Sequence, residues 1–464
     1  MEEKLMKEHT GFFQNLLGDE NVYSDKAHLI AYSYDATRER FEPDIVLFPR
    51  DESDVSEILK YCNEHQVIIV PRGSGSGFTG GALPSRGGVV LAFEKHMNKI
   101  LEIDMQNMVA VVQPGVINMD LQRAVESVGL FYPPDPASQD YSTIGGNVSE
   151  NAGGMRAAKY GITKDFVMAM RAVLPNGDII KAGKKTIKDV AGYNISGILI
   201  ASEGTLAVTT EVTLKLLSKP KLTKTAMGIF SSVKEAMEAV YKTMASGVTP
   251  VAMEFLDNLT IRAVEQTFSK GLPVDAGAIL VTDVDGNMQS EIDFQLAQIE
   301  KVFRENGCQE FKIAADEDEA KDLWFARRNA SPALSVYGSK KLNEDVTVPR
   351  SALPEVLDKF YEIAKKYDVK IPCFGHTGDG NVHTNVMVDG SDAEQVKIAY
   401  LAIEEVFQAT IDLGGTLSGE HGIGLAKAPY MHMAFSDEEM NLFKTIKKAF
   451  DPNNILNPSK MGLE

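Results

Sequence analysis

The sequence is poor in the residues that build cluster and disulfide chemistry. It has three cysteines in 464 residues, Cys62, Cys308 and Cys373, far apart and without a CxxC. That excludes a zinc ribbon, a redox dithiol and a cysteine-ligated iron–sulfur cluster, and an odd count disfavours a disulfide framework. No stretch approaches the roughly 18 consecutive apolar residues of a membrane-spanning helix. The start, Met1-Glu2-Glu3-Lys4-Leu5-Met6-Lys7-Glu8, is charged and lacks the apolar centre of a signal peptide, so a cytoplasmic chain is expected. Positive charge is also short: 47 Lys plus Arg against 65 Asp plus Glu give a net charge of −18. A broad basic face for nucleic acid is excluded, because phosphate attraction needs clustered cations. An anionic membrane surface would repel the chain for the same reason. A local cationic pocket for a small anion stays compatible with this balance.

What is present is ordinary globular composition, 44% hydrophobic and 24% charged. The length suits about two to four domains at roughly 100–200 residues each. Ile45–Phe48 reads as a strand, Pro49 and Asp51 open a helix with Val55, Ile58, Leu59 and Cys62 at 3–4 spacing, and Val67–Val70 reads as a second strand. Further strands are expected at Val89–Ala92, Met108–Val112, Ala169–Leu174 and Thr205–Leu217, with a helix at Met119–Val128. After Lys219-Pro220, amphipathic helices (Val233–Met244, Met288–Glu305, Leu353–Tyr367, Ala393–Leu413) mix with strands (Ala226–Ile229, Ala278–Thr282, Gln309–Ile313, Ile371–Phe374, Val382–Val388). That predicts an α+β protein with domains at 1–218 and 219–414 and a C-terminal segment, 415–464, carrying a helix at Asp437–Phe450.

Glycine clusters in two places. Gly75-Ser76-Gly77-Phe78-Thr79-Gly80 formally matches GxGxxG, but Pro84 and Gly87-Gly88 follow where a Rossmann site needs a long helix. No Gly-Lys-Ser/Thr completes a Walker A loop. What survives is a run of backbone N–H groups able to wrap a phosphate. One such loop is equally well read as a structural turn. A second stretch, Tyr132-Pro133-Pro134-Asp135-Pro136 followed by Gly145-Gly146 and Gly153-Gly154, favours a large diphosphate cofactor.

These runs resemble the FAD-binding half of the vanillyl-alcohol-oxidase superfamily, with its PCMH-type FAD-binding domain of two α+β subdomains. The later motifs are similar to the branch of glycolate oxidase FAD subunits, D-lactate dehydrogenases and D-2-hydroxyglutarate dehydrogenases. The resemblance runs from about Pro43 to Lys460 and is closest to the glycolate oxidase FAD subunit. It implies a second, α+β cap domain with an antiparallel sheet and flanking helices. It also implies FAD contacts at Pro71, Arg72, Gly73, Ser74, Gly75, Ser76, Gly77, Thr79 and Gly80. Further contacts are implied at Pro134, Asp135, Ser142, Thr143, Gly145, Gly146, Asn151, Gly153, Gly154, Tyr160 and Gly161. Ser202–Val208 is expected as a strand completing the FAD site, with Glu203, Gly204 and Val208, and Asn457 as the C-terminal flavin contact. Neither glycine loop contains a histidine or cysteine, so FAD is expected to bind non-covalently.

Three of the eight histidines lie in glycine-rich contexts near the end of the chain. Asp379-Gly380 is a two-residue hairpin signal. A turn centred there places His376 and His383 directly opposite, with Cβ atoms about 4.5–5.5 Å apart, and Asn385 on the same face. Two imidazoles beside an amide suit a divalent metal, and Glu420 in Ser418-Gly419-Glu420-His421-Gly422 offers a carboxylate. A histidine pair alone is equally a hairpin surface pair. The resemblance assigns zinc, or manganese or iron, to His376, His383 and Glu420, substrate contact to Asn385 and the catalytic base to His421. It places a substrate-carboxylate arginine at Arg327, with Ser331 one turn later, and a lysine at Lys340 or Lys341.

The expectation is a flavin dehydrogenase for a small 2-hydroxy acid, glycolate or D-lactate first. D-2-hydroxyglutarate oxidation and ether-bond formation of the alkyl-dihydroxyacetone-phosphate synthase type are the alternatives. With no cysteine cluster, the flavin needs an outside electron acceptor. An iron–sulfur subunit, an electron-transfer flavoprotein or a quinone-linked protein is expected, with membrane association only through such a partner. A homodimer is compatible with this reading.

Overall fold

The computed structural model describes residues 2–464, with side chains from Glu8 onward. Helices and sheets combine in an α+β fold. The chain forms two compact units. One is Met1–Gly153 with Gly161–Lys219 and Glu420–Glu464; the other is Gly154–Tyr160 with Pro220–Gly419.

The first unit contains two main sheets. In the four-stranded sheet, Ile45–Leu47 and Ile69–Arg72 both run parallel to Val89–Ala92, which lies between them. The connecting helix, Glu52–His65, starts on Asp51, whose carboxylate accepts from Asp54 N at 3.0 Å. Such a cap contributes about 1 kcal/mol. Its apolar stripe of Val55, Ile58, Leu59 and Cys62 is fully buried, as the 3–4 spacing predicts. Val173 and Val208 of the five-stranded antiparallel sheet join the same core, so this helix ties the two sheets together. Two strands of that sheet, Ile100–Asp104 and Ile179–Gly183, were not expected from the sequence.

The second unit is a seven-stranded antiparallel sheet. Its order is Cys308–Ile313, Leu222–Phe230, Ala278–Gly286, Ala252–Asp257, Cys373–His376, Asn381–Val388, Lys340–Thr347. Gly228 is directly opposite Leu280, and a Cβ on it would meet Phe303 of the helix Gln289–Glu305 at 2.6 Å. The other sheet face presents Leu256, Val281, Phe374 and Met387. These pack with Ile261 and Val264 of the helix Asn258–Phe268 and with Trp324 of the helix Glu317–Arg328. Strand alternation also sends Asp283, Glu254, His376, His383, Asn385, Asp345 and Lys341 to this second face, a polar row crossing the sheet. Among the described residues, no helix is long and apolar enough to cross a membrane.

Candidate active site

In the first unit the glycine loop leaves the strand Ile69–Arg72. Gly75 (φ +68°) and Gly80 (φ +81°) adopt the left-handed conformation expected of a wrapping loop. Gly73 is needed for closeness, since a Cβ there would lie 2.3 Å from Thr143 Oγ1. The second glycine stretch departs from the loop expectation, because Ile144–Glu150 is a helix. Thr143 caps it, accepting from Gly146 N at 3.2 Å, and this outweighs the poor helix propensity of glycine. Gly145 serves close approach, as a Cβ would sit 2.6 Å from Pro114 Cβ.

Two adjoining clefts, about 560 and 920 Å³, share Gly73, Ala82, Thr143, Gly146 and Glu150. Of the sequence-predicted residues, Pro71, Arg72, Gly145, Glu203, Gly204 and Val208 line the first. Ser74, Gly75, Ser76, Gly77, Ser142, Gly153, Glu420 and His421 line the second. Others stand behind these walls. Thr79 accepts from Leu425 N and Ala426 N through its carbonyl and donates its hydroxyl to the His421 carbonyl at 3.1 Å. Pro134 accepts from Gln122 Nε2 at 3.0 Å, Asn151 accepts from Lys164 N at 2.9 Å, and Gly161 sits against Asp165. Asp135 is buried. Gly154 and Tyr160 belong to the second unit, where Tyr160 donates to Asp285 Oδ2 at 2.6 Å.

Ser202–Ala207 is a turn, which corrects the expected strand; the strand begins at Val208. Ala201, Glu203 and Gly204 all have positive φ, which no strand allows. The turn aims the buried Glu203 carboxylate at Ile423 N and Gly424 N, 2.7 Å from each. Asn457 Nδ2 donates to the carbonyls of Gly81 and Glu203 at 2.8 and 2.7 Å. Five buried polar atoms, Arg72 Nη1, Ser142 Oγ, Asn147 Nδ2, Glu150 Oε2 and Asn457 Oδ1, have no hydrogen-bond partner among the described residues. Each such group costs about 1–3 kcal/mol, so a concentration of them fits a ligand rich in oxygens and ring nitrogens, as FAD is.

In the second unit the hairpin register differs from the sequence expectation. Phe374 pairs with His383 and Cys373 with Thr384, so the turn is not centred on Asp379-Gly380. Gly380 is pinned under the neighbouring strand: its carbonyl accepts from Val348 N at 3.1 Å, and a Cβ would lie 2.2 Å from Val348 O. His376 is therefore diagonal to His383, two residues along the same face. The rings still converge, with Nε2 atoms 3.3 Å apart and planes at 85°.

Glu254, which sequence reasoning missed, organises this row. It is fully buried; Oε1 accepts from His376 Nδ1 at 2.8 Å and Oε2 from Arg327 Nε at 2.6 Å. Burial pushes its carboxyl up, but the His376 and Arg327 charges and hydrogen bonds prevail and hold it below the ordinary carboxylate range. In its neutral form, with Nδ1 donating to Glu254, His376 presents its Nε2 lone pair toward His383. Two such nitrogens at 3.3 Å suit a shared cation. The only signal in sequence was one acid in the apolar run Val251–Leu256.

Arg327 projects from the helix Glu317–Arg328 with its guanidinium carbon 4.9 Å from the Phe374 ring centroid. Trp324, one turn earlier, donates to Asp283 Oδ1 at 3.0 Å, fixing that helix on the row. Asn385 donates to the carbonyls of Pro372 and His383, while its buried Oδ1 has no partner among the described residues. Asp345, on the face of His383, accepts from Gly419 N at 2.9 Å. The two lysines separate by strand alternation. Lys341 shares the site face and donates to Ser331 Oγ at 2.5 Å, whereas Lys340 turns away over the Tyr400 ring.

Comparison with known proteins identifies the family. Residues 43–183 match the family model of a FAD binding domain, and residues 219–461 match that of the C-terminal domain of FAD linked oxidases. The chain is 45% identical to the glycolate oxidase subunit GlcD of Bacillus subtilis (strain 168), covering 96% of this chain and 94% of that protein. It is 35% identical to a D-lactate dehydrogenase of Anaerostipes hadrus, covering 96% and 94%. The solved structure of p-cresol methylhydroxylase with substrate bound superimposes with a TM-score of 0.81 at 20% identity, covering 98% of this chain and 96% of that one. That likeness shows a shared fold. The protein is thus a member of the FAD-linked oxidase family and a FAD-dependent oxidoreductase.

Proposed function

We propose that this oxidoreductase oxidises a small 2-hydroxy acid, glycolate or D-lactate, to the 2-oxo acid. The observation that carries the reading is Arg327. Glu254 holds it through Nε, and its two Nη nitrogens have no hydrogen-bond partner among the described residues. That fork fits a substrate carboxylate bidentately. Lys341 adds a second cation on the same face. Asn385 Oδ1 is a buried acceptor suited to the substrate hydroxyl. His421 takes the hydroxyl proton, since an imidazole titrates near neutral pH. A divalent cation, zinc first and manganese or iron as alternatives, would be held by His376, His383 and Glu420 and would supply Lewis acidity at the hydroxyl oxygen. Non-covalent FAD, when bound, supplies the two-electron acceptor.

The relatives named as a glycolate oxidase subunit and a D-lactate dehydrogenase support this substrate class. A one-methyl difference between glycolate and lactate is worth only about 1–3 kcal/mol, so pocket shape decides between them. D-2-hydroxyglutarate differs by a second carboxylate, which needs cationic or hydrogen-bonding partners of its own. The three cysteines are buried and unpaired, which leaves no redox relay among them. Electrons therefore pass to a partner such as an iron–sulfur subunit, an electron-transfer flavoprotein or a quinone-linked protein. Anaerobic mixing of holoprotein with glycolate, D-lactate, L-lactate and D-2-hydroxyglutarate tests the reading through flavin bleaching. At least one should reduce the flavin; bleaching by none overturns it.

A further inference from the structure

Glu150 ends the helix Ile144–Glu150 and lines both clefts of the first unit. The family resemblance assigns it nothing. Its Oε2 is buried with no hydrogen-bond partner among the described residues. A second carboxylate, Glu203, crowds the same place. A methyl group built on Gly81 would meet Glu150 Oε1 at 2.5 Å and Glu203 Oε2 at 3.9 Å. Glu203 accepts two backbone N–H groups at 2.7 Å, so the negative charge of the pair belongs there. Glu150 receives no such donors. Burial, then Glu203 and Asp35, disfavour its ionised form, and Lys460 opposes them only in part. Lys460 donates to the Leu83 carbonyl at 2.8 Å. A carboxylic acid that keeps its proton is a hydrogen-bond donor, and its O–H needs an acceptor that the protein does not provide.

We propose that Glu150 is a direct contact of bound FAD, donating a hydrogen bond from its carboxylic acid to an acceptor atom of the cofactor. This rests on the FAD reading of the clefts and adds a cofactor-binding residue to it. It also gives the pair a division of labour: Glu203 shapes the turn through backbone groups, and Glu150 faces the ligand.

The test is FAD titration of deflavinated wild type, Glu150→Gln and Glu150→Leu, followed by fluorescence quenching. Wild type that binds no FAD would sink the FAD reading itself, separately from the role of Glu150. Glu150→Gln keeps an uncharged donor and should hold FAD within about threefold of wild type. Glu150→Leu should weaken FAD about tenfold or more. Its apo form should melt no lower than wild type, because a buried carboxylic acid without a hydrogen-bond partner is gone. A merely structural role predicts the reverse, a lower melting point with unchanged FAD affinity, and overturns the proposal. Infrared difference spectra of wild type provide a reading that needs no Leu variant. The protonated-carboxyl carbonyl band should shift on FAD addition and be missing in Glu150→Gln. A band that does not move with FAD bound overturns the proposal as well.

Discussion

In the first unit glycine-rich main chain and a few buried polar side chains line the ligand cleft, while in the second the polar row is made of side chains. Gly73, Gly75, Gly80 and Gly145 matter for what they lack, a Cβ or a restriction on φ. Arg327 and His376 matter for charges that share Glu254 as their partner, and Lys341 for a cation on the same sheet face. A main-chain wall spreads its hydrogen bonding over many weak donors. A row of shared charges concentrates it, so removing one member strands the others. The second unit is therefore the more brittle of the two, and the contrast can be attacked directly.

Glu254→Leu should give the largest effect. It leaves Arg327 and His376 buried without their acceptor, and breaking a buried pair costs about 3–5 kcal/mol. Urea unfolding reads this; a loss below about 1 kcal/mol would show that the row is not a coupled unit. Asp257 comes next. It is buried, caps the helix Asn258–Phe268 and accepts from Cys373 N at 2.9 Å. Burial raises its carboxyl to about 6 from 3.8, against the pull of the backbone and side-chain bonds it accepts. The folded state thus holds this proton more tightly than the unfolded chain. Asp257 contributes most below pH about 4, and about 2–3 kcal/mol of that is lost as pH rises through about 6. The stability difference between wild type and Asp257→Asn should shift by this amount across that window. A flat difference contradicts the burial argument.

The fold was legible where one physical signal dominated. The helix Leu353–Tyr367 and the strand Val89–Ala92 follow directly from apolar spacing. Ile100–Asp104 and Ile179–Gly183 escaped because they are the outer strands of their sheet, half exposed and interrupted by charge. Ala252–Asp257 escaped because it carries two acids and runs straight into a helix, which blurs both periods. The glycine loops were legible as motifs since main-chain sites are local in sequence. Ile144–Glu150 was still missed as a helix, because a threonine cap and contact with Pro114 override glycine propensity only in the folded context. Glu254 acquires meaning from Arg327 and His376, which lie 73 and 122 residues away. The hairpin register was misread because Val348, just past the strand Lys340–Thr347, holds the Gly380 carbonyl.

Smaller effects sharpen the comparison. Lys341→Met should lower kcat/KM for the hydroxy acid about tenfold, as expected for losing a hydrogen bond to a charged group. Lys340→Met should stay within about twofold, because that side chain occupies the opposite face; equal effects would contradict the strand register. In the first unit, Asn457→Ala removes two bonds to the carbonyls of Gly81 and Glu203. About 1 kcal/mol is expected, read as roughly fivefold weaker FAD binding with substrate KM unchanged. A changed KM would show that the two regions are not separable in this way.

The most direct test is stopped-flow reduction of Arg327→Met holoprotein by the best substrate of the panel. The variant should bind FAD stoichiometrically and be reduced normally by dithionite. Its flavin reduction by substrate, at subsaturating concentration, should be slower by about 10²–10³-fold, the scale of losing a buried charged contact. Reduction at the wild-type rate would contradict the assignment of the polar row to substrate recognition.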